Sequence, residues 1–291
     1  MTKQDIYFLP IVKAIPDKLF LKLHFLISCK KVLKLSNPVT YNEKIQWIKL
    51  YDRNPLYATM ADKAEAKKYV AEKIGKEHII ETYGVWNSFE EIDFEKLPNQ
   101  FVIKSTHDSG GVVICKDKNS FNFDEAREII NKSLKRNYYY CGREWAYKNI
   151  KPRIIAEKYM VDESGCELKD YKVFCFSGEP KIIQVDYDRF INHRRNLYTT
   201  DWEYIEGTSK FPTDKSHKIE KPAVLNEMLD YARVLSKGFP QLRVDFYIVE
   251  DKIYFGELTL YHGSGFEKYE PEELGVTLGN YTVLPRRNDN V

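Results

Sequence analysis

The stretch that decides the fold is Leu242-Arg243-Val244-Asp245-Phe246-Tyr247-Ile248-Val249, followed after Glu250-Asp251-Lys252 by Ile253-Tyr254-Phe255-Gly256-Glu257-Leu258. Both runs are rich in Val, Ile, Tyr and Phe, which fit a pleated, half-buried surface, and the three residues between them read as a turn joining two strands. Side chains alternate along a strand, so Arg243 and Asp245 face the same way. A hairpin through 250–252 brings Glu257 beside Asp245. Carboxylates inside apolar strands are expensive to bury unless they are paired or hold a cation. Two readings follow. In one, Asp245 and Glu257 ligate Mg²⁺, which takes hard oxygens from a couple of carboxylates and from phosphates. In the other, Arg243–Asp245 is a buried ion pair and Glu257 is exposed.

Upstream, Tyr171–Phe176 (YKVFCF) and Lys181–Val185 (KIIQV) are strands joined by the turn Ser177-Gly178-Glu179-Pro180. Asp170 and Lys172 share one face of the first of these strands. They suit a ribose hydroxyl and a phosphate, or equally a surface ion pair. Arg153–Met160 (RIIAEKYM) is another strand, and Glu157 with Tyr159 near its end suits an adenine edge or is simply exposed. Further back, Phe101-Val102-Ile103 and Val112-Val113-Ile114 flank Lys104-Ser105-Thr106-His107-Asp108-Ser109-Gly110-Gly111. That is strand, polar glycine-bearing loop, strand. Such a loop can close free backbone N–H groups over phosphates beside the positive charge of Lys104, or it is an ordinary hairpin with a surface lysine.

The remainder is helical. Asp62 caps a helix reaching Ile74, with Gly75 at its end; Phe123–Leu134 and Val224–Leu235 are further helices, the latter ended at Gly238. In the first 60 residues Leu19, Leu23, Leu26 and Ile27 form a helical stripe, and Asn42 is the expected N-cap of the helix carrying Trp47. Residues 1–34 hold seven lysines against Asp5 and Asp17. This charge is either a solvated helix face or a peripheral membrane contact. The expected organisation is a helical region 1–60, a phosphate-loop subdomain 61–160 and a metal-site subdomain 161–291.

Composition narrows the class. Of 291 residues 43% are hydrophobic and 14% aromatic, enough buried material to exclude a disordered chain. Lys plus Arg is 45 and Asp plus Glu 43, a net +2 that speaks against a nucleic-acid partner. Five cysteines, an odd number without CxxC spacing, point to a reducing compartment and away from structural zinc. Lys22 and His24 interrupt the most apolar early run, Leu19–Cys29, so no membrane span or secretory signal is expected and the reading is cytoplasmic.

In their order, these pieces resemble the ATP-grasp superfamily, and more narrowly the TupA-like ATP-grasp proteins of bacterial surface-polysaccharide loci. The carrying stretches are YNEKIQWIKLYDRNPLY (41–57), ADKAEAKKYVAEKIG (61–75), GVWNSFEEIDFEKLPNQFVIKSTHDSGG (84–111), VDYDRFINHRRNLYTTDWEYI (185–205) and GELTLYHGSGFEKYEP (256–271). The resemblance implies an α+β fold with nucleotide held between two α+β subdomains. It implies Lys63 and Lys104 on phosphates under Ser109, Gly110 and Gly111, Glu157 and Tyr159 framing adenine, Asp170 on ribose with Lys172 beside it, and Asp245 and Glu257 on Mg²⁺. Arg243 would stabilise the transferring phosphoryl group. Thr259 stands where the superfamily's further metal ligand is Asn, and Asp108 where Gly is expected.

The implied reaction is ATP-dependent ligation of a carboxylate to an amine through an acyl phosphate. The substrates would be a uronic-acid sugar nucleotide or polysaccharide precursor and an amine or amino acid. Arg189, His193 and Arg195 of the cationic segment 188–195, or His262 and Ser264, would hold the acceptor; the plainer reading of that segment is a solvated loop. The rival readings are an ATP-grasp kinase of a sugar or lipid-linked acceptor, and a glycosyltransferase-like protein using Asp186-Tyr187-Asp188 as a DxD motif.

Overall fold

A computed structural model describes residues 5–162, 168–188 and 192–286. The chain divides into two compact units, residues 1–13 with 55–160 and residues 14–54 with 161–291. The helical segment 1–60 is therefore no unit of its own. Most of it packs into the second unit through buried contacts of its helices.

The first unit is built on an antiparallel sheet in the order β1-β4-β2-β3, from β1 (Thr82–Trp86), β2 (Phe101–Ser105), β3 (Val112–Cys115) and β4 (Ile154–Lys158). The expected hairpin is present, with Phe101 opposite Cys115 and Lys104 opposite Val112. Alternation in β2 buries Phe101, Ile103 and Ser105. The helix Phe123–Leu134 has Asn122 as its N-cap and buries Ala126 and Ile130 with Phe89, Ile103 and Ile154 in one core. The helix Lys63–Ile74 starts at Asp62, whose Oδ1 accepts from the N–H groups of Ala64 and Glu65 at 2.9 and 3.2 Å. It ends at Gly75, as the sequence indicates.

The second unit contains a six-stranded antiparallel sheet in the order β11-β10-β5-β6-β7-β8. Its strands are β5 (Asp170–Phe176), β6 (Glu179–Tyr187), β7 (Arg194–Tyr198), β8 (Tyr204–Ile205), β10 (Gln241–Val249) and β11 (Lys252–Thr259); β9 (Thr208–Ser209) pairs with β12 (Tyr269–Glu270). Two hairpins have two-residue loops with left-handed backbone at both positions, Ser177 and Gly178 (φ 51 and 88°), and Glu250 and Asp251 (φ 50 and 55°). Such loops match the twist of paired strands. Between Asp245 and Phe246 the register shifts, because Phe246 opposes Phe255 while Asp245 opposes Glu257. Gly256 is the extra residue of this bulge, and bulges re-aim side chains.

The helix Leu225–Ser236 covers one face of this sheet with Leu225, Met228, Leu229, Ala232 and Leu235. The helix Tyr41–Tyr51 is capped by Thr40, not by Asn42 as expected. Thr40 and Glu43 form a reciprocal capping box, the T-x-x-E signature, and this leaves Asn42 to donate to Glu267 O at 2.6 Å. The stripe Leu19, Leu23, Leu26 and Ile27 is not the core face of its helix: Phe20, Leu21 and Phe25 are buried instead.

Candidate functional site

Each unit gathers its own set of functional side chains. In the first, Lys104 lies at the end of β2 and Glu157 in β4, where the pairing of Val102 with Glu157 sets the strands side by side. Glu157 is 4% exposed and not free to read a base. Its Oε2 lies 2.5 Å from Lys104 Nζ, and its Oε1 lies 2.6 Å from Lys67 Nζ. Burial works to raise the Glu157 carboxyl, but the two ammonium groups outweigh it and hold the group down at about 2. Burial pulls Lys67 below the usual lysine range, and Glu157 offsets this only in part. Lys67 also donates to Ile80 O and Thr82 Oγ1 at 2.6 and 2.9 Å. It escaped the sequence reading, although Lys67, Val70 and Ile74 follow the helical apolar spacing and mark it as inward-facing.

The loop 106–111 is fastened at its base. Lys63 Nζ donates to Asp108 O at 2.6 Å rather than pointing away from the chain. Asp108, at the position where glycine was expected, uses Oδ1 to accept from Ser109 N–H at 2.7 Å and Gly110 N–H at 3.3 Å. Its Oδ2 accepts from Ser133 Oγ at 2.6 Å. Ser109 and Gly110 are exposed at the tip while Gly111 is buried. A Cβ on Gly111 would sit 2.5 Å from Ser133 Oγ and 2.6 Å from Ser105 Oγ, so the position has no room for a side chain. Burial, the largest influence, lowers the pKa of His107, whose Nε2 is 3.1 Å from Arg136 O. Tyr159 is half-buried just beyond β4.

In the second unit the register builds a charged array. Asp245 opposes Glu257 across one edge of β10 and Lys172 of β5 across the other; Arg243 opposes Thr259. Asp170 opposes Asp186 of β6, which in turn opposes Arg195 of β7. Arg243 grips Asp245 with two bonds of 2.6 Å, from Nε to Oδ1 and from Nη2 to Oδ2. Lys172 Nζ is 3.3 Å from Asp245, 2.8 Å from Asp170 and 3.6 Å from Asp186. Burial opposes the charges of Asp245, Lys172 and Arg243, yet their neighbours win. Asp245 is lowered by Arg243 and Lys172, Lys172 is raised by Asp245 and Asp170, and Arg243 is raised by Asp245.

Arg195 was expected to clamp an acceptor, but it is spent inside the protein. It is 5% exposed, donates from Nε to Asp186 Oδ1 at 2.7 Å, and binds Ser209 O through Nη1 at 2.9 Å. The β6–β7 register puts Arg195 directly opposite Asp186 on the same face of the sheet, and Asp186, raised by burial but lowered more by Arg195, sits at about 2. This also uses up the first acid of the DxD triplet. His193 stacks on Phe211 with ring centroids 3.7 Å apart, and its Nε2 lies 3.7 Å from Asp186. Ser264 is likewise committed, accepting from buried Lys49 through O and Oγ at 2.7 and 2.9 Å. Arg189 lies outside the described residues.

His262 is fixed in one tautomer. Arg243 Nη1 is 2.7 Å from His262 Nδ1. Arginine only donates, so Nδ1 is the acceptor and Nε2 carries the hydrogen. Nε2 lies 3.1 Å from Glu267 Oε2. Burial lowers the His262 pKa, keeping the ring neutral, and Glu267 stays ionised beside His262 and Arg195 despite burial.

With this geometry in view, comparison with known proteins is decisive at the family level. The model of the TupA-like ATP-grasp family matches residues 43–283. The chain belongs to the TupA-like ATP-grasp family. It is thereby an ATP-grasp enzyme, and ATP-grasp enzymes use ATP with Mg²⁺. No curated protein matches the chain. Among solved structures, D-alanine–D-alanine ligase from Helicobacter pylori is similar at 15% identity over 84% of this chain and 69% of that one, TM-score 0.42. The Bacillus anthracis D-alanine–D-alanine ligase is similar at 18% identity over 75% of this chain and 58% of its own, TM-score 0.37. A RimK domain protein from Sphaerobacter thermophilus is similar at 11% identity over 92% and 95%, TM-score 0.45.

The donor set of the second unit suits a divalent cation. Asp170, Asp186, Asp245, Glu257 and Glu267 face Lys172, Arg195 and Arg243, five carboxylates against three permanent cations. A carboxylate offers about four lone-pair directions. Asp245 uses three, for Arg243 Nε, Arg243 Nη2 and Lys172 Nζ. Glu257 is exposed and accepts from Thr259 Oγ1 at 3.3 Å. Among the described residues no group of three or more His, Cys, Asp or Glu side chains is arranged to hold a metal. Mg²⁺ needs no such cage, because it is ordinarily held by one or two carboxylates with substrate phosphates and waters.

Proposed function

We propose that the protein joins the carboxylate of a uronic acid, carried on a surface-polysaccharide precursor, to an amine or amino acid at the expense of ATP. The observation that carries this reading is the Arg243–Asp245–Glu257 constellation on β10 and β11, in a chain of this family. Ligation by this route needs positioned positive charge and exclusion of water rather than a protein nucleophile.

Each group has a task in this proposal. Lys104 neutralises nucleotide phosphates, with Lys67 behind it and Glu157 holding both ammonium groups in place. The tip of the 106–111 loop, Ser109 and Gly110, covers the phosphates, and a covered site protects an acyl phosphate from water. Asp245 and Glu257 would hold Mg²⁺, with Thr259 orienting Glu257; the ion supplies charge neutralisation where phosphoryl oxygens crowd together. Arg243, fixed by Asp245 and His262, stabilises negative charge on the transferring phosphoryl group. Asp170 bonds the ribose and orients Lys172. The cationic segment around Arg189 receives the acceptor, since Arg195 is committed to Asp186.

A mass-spectrometric screen of uronic-acid sugar nucleotides against amino acids, with ATP and Mg²⁺, tests the reading. An amide product formed with stoichiometric ADP is expected. A phosphorylated sugar without amide would replace this reading by that of a kinase.

A further inference from the structure

The helix Asp17–Cys29 has two apolar faces. Phe20, Leu21 and Phe25 are buried, and His24 stacks on Phe266 with ring centroids 4.0 Å apart, so this face holds the helix to the second unit. The other face carries Leu19, Leu23, Leu26 and Ile27, exposed by 50, 47, 48 and 67%. At about 100° per residue these four fall within one sector roughly 100° wide. A surface helix ordinarily shows polar side chains there. Val32 continues the apolar character beyond the helix, at 72% exposure.

Cations edge this sector. Lys18 and Lys22 are exposed along one side of it, and Lys30 and Lys34 are exposed past its C-terminal end. Lys31 is engaged by Glu272 at 2.5 Å. Within 17–34 the only acid is Asp17. An apolar stripe bordered by lysines has the chemistry of an interfacial helix.

We propose that this helix docks the protein on an anionic membrane surface. The stripe would enter the boundary between headgroups and acyl chains, and the lysines would meet lipid phosphates. Charge complementarity selects this occupant. A second copy of the chain packed about a two-fold axis would set the same lysines against one another, whereas an anionic lipid surface satisfies stripe and lysines together. Among the described residues no helix is long and apolar enough to cross a membrane, so the contact made by this helix is peripheral. One short helix gives reversible binding, in keeping with an enzyme that visits the surface. The inference does not depend on the ligase reading.

Flotation of the full chain with vesicles tests it, using phosphatidylcholine alone and phosphatidylcholine with one part in three of phosphatidylglycerol, at low and high salt. Binding to the anionic vesicles that weakens with salt is expected. Lys18→Gln and Lys22→Gln should each reduce it by about fivefold, and Leu23→Asp with Ile27→Asp should reduce it by at least about tenfold. These side chains are already exposed, so the variants should keep the wild-type circular dichroism and melting temperature. Equal binding to both vesicle types, or binding that survives the aspartates, overturns the proposal. So does a dimer in sedimentation equilibrium that Leu23→Asp dissociates, since the stripe would then belong to a second copy.

Discussion

Glu157→Gln keeps the size and shape of the side chain and removes its charge. Two ammonium groups, Lys104 at 2.5 Å and Lys67 at 2.6 Å, then lose their counter-ion in a place where Glu157 is 4% exposed. Moving the carboxyl from its ordinary 4.5 to about 2 corresponds to about 3 kcal/mol, at roughly 1.4 kcal/mol for each pKa unit. Breaking a buried pair by neutralising one member costs a similar amount, about 3–5 kcal/mol. The triad as a whole gains less than this, because Lys67 is itself depressed by burial, but the substitution reads the loss of the acceptor and not the net value of the triad. The sign of the pH dependence follows. The folded pKa lies below the unfolded one, so the stabilisation is fully present above 4.5 and is lost as pH falls from 4.5 to about 2. Urea unfolding of wild type and variant, followed at neutral pH and again near the bottom of that window, measures both. A difference of about 3 kcal/mol that shrinks toward zero in acid is expected. A difference that is the same at both pH values, or a neutral-pH difference below about 1 kcal/mol, would refute the reasoning, since it would mean that the carboxylate charge is not what the two lysines rely on.

Three further outcomes are expected. Gly111→Ala should displace the loop and lower the melting temperature, because the new methyl would meet Ser133 Oγ at 2.5 Å and both Ser105 Oγ and Ser133 Cβ at 2.6 Å; thermal melts of wild type and variant decide it, and an unchanged melting temperature would refute the steric argument. Lys104→Met should weaken ATP binding by about tenfold or more, from about 1.5–3 kcal/mol for a charge-assisted contact, and calorimetry that finds unchanged affinity removes Lys104 from the nucleotide contacts. Asp245→Asn should stop ADP release and also cost about 3–5 kcal/mol of stability, because Arg243 loses its bidentate anionic partner and Lys172 one of its three carboxylates; full turnover by the folded variant would remove Asp245 from the proposed metal site, and unchanged urea unfolding would show that the buried pair does not hold the fold.

Where local rules suffice, the chain reads directly. Asp62 and Gly75 bound their helix as capping chemistry requires, and the two-residue turns at 177–178 and 250–251 set their hairpins. The pairing of Asp245 with Glu257 follows from alternation and that turn, although the bulge at Gly256 is invisible to a simple count of residues. Of the two readings of these strands, the structure shows the ion pair: Arg243–Asp245 is buried and Glu257 is exposed, with the two carboxylates opposite each other across the hairpin. Partners distant in sequence are what the reading lacks. The segment 188–195 looks like a cationic loop, yet Arg194 and Arg195 open the strand β7, and Arg195 is neutralised by Asp186. The lysines that matter most, Lys67 on Glu157 and Lys49 on Ser264, are buried against acceptors more than eighty residues away. The leucine stripe at 19–27 illustrates the reverse error, since periodicity reports an apolar face but not which of two faces meets the core.

The central claim is that a carboxylate is activated by phosphoryl transfer and then taken by an amine. Heavy-oxygen label in the carboxylate of a uronic-acid substrate follows that event atom by atom. In ligation one labelled oxygen leaves with the phosphate when the amine displaces it, so the released inorganic phosphate should carry the label in step with ADP formation. Unlabelled phosphate, or a phosphoryl group retained on the sugar with no free phosphate at all, would contradict the account.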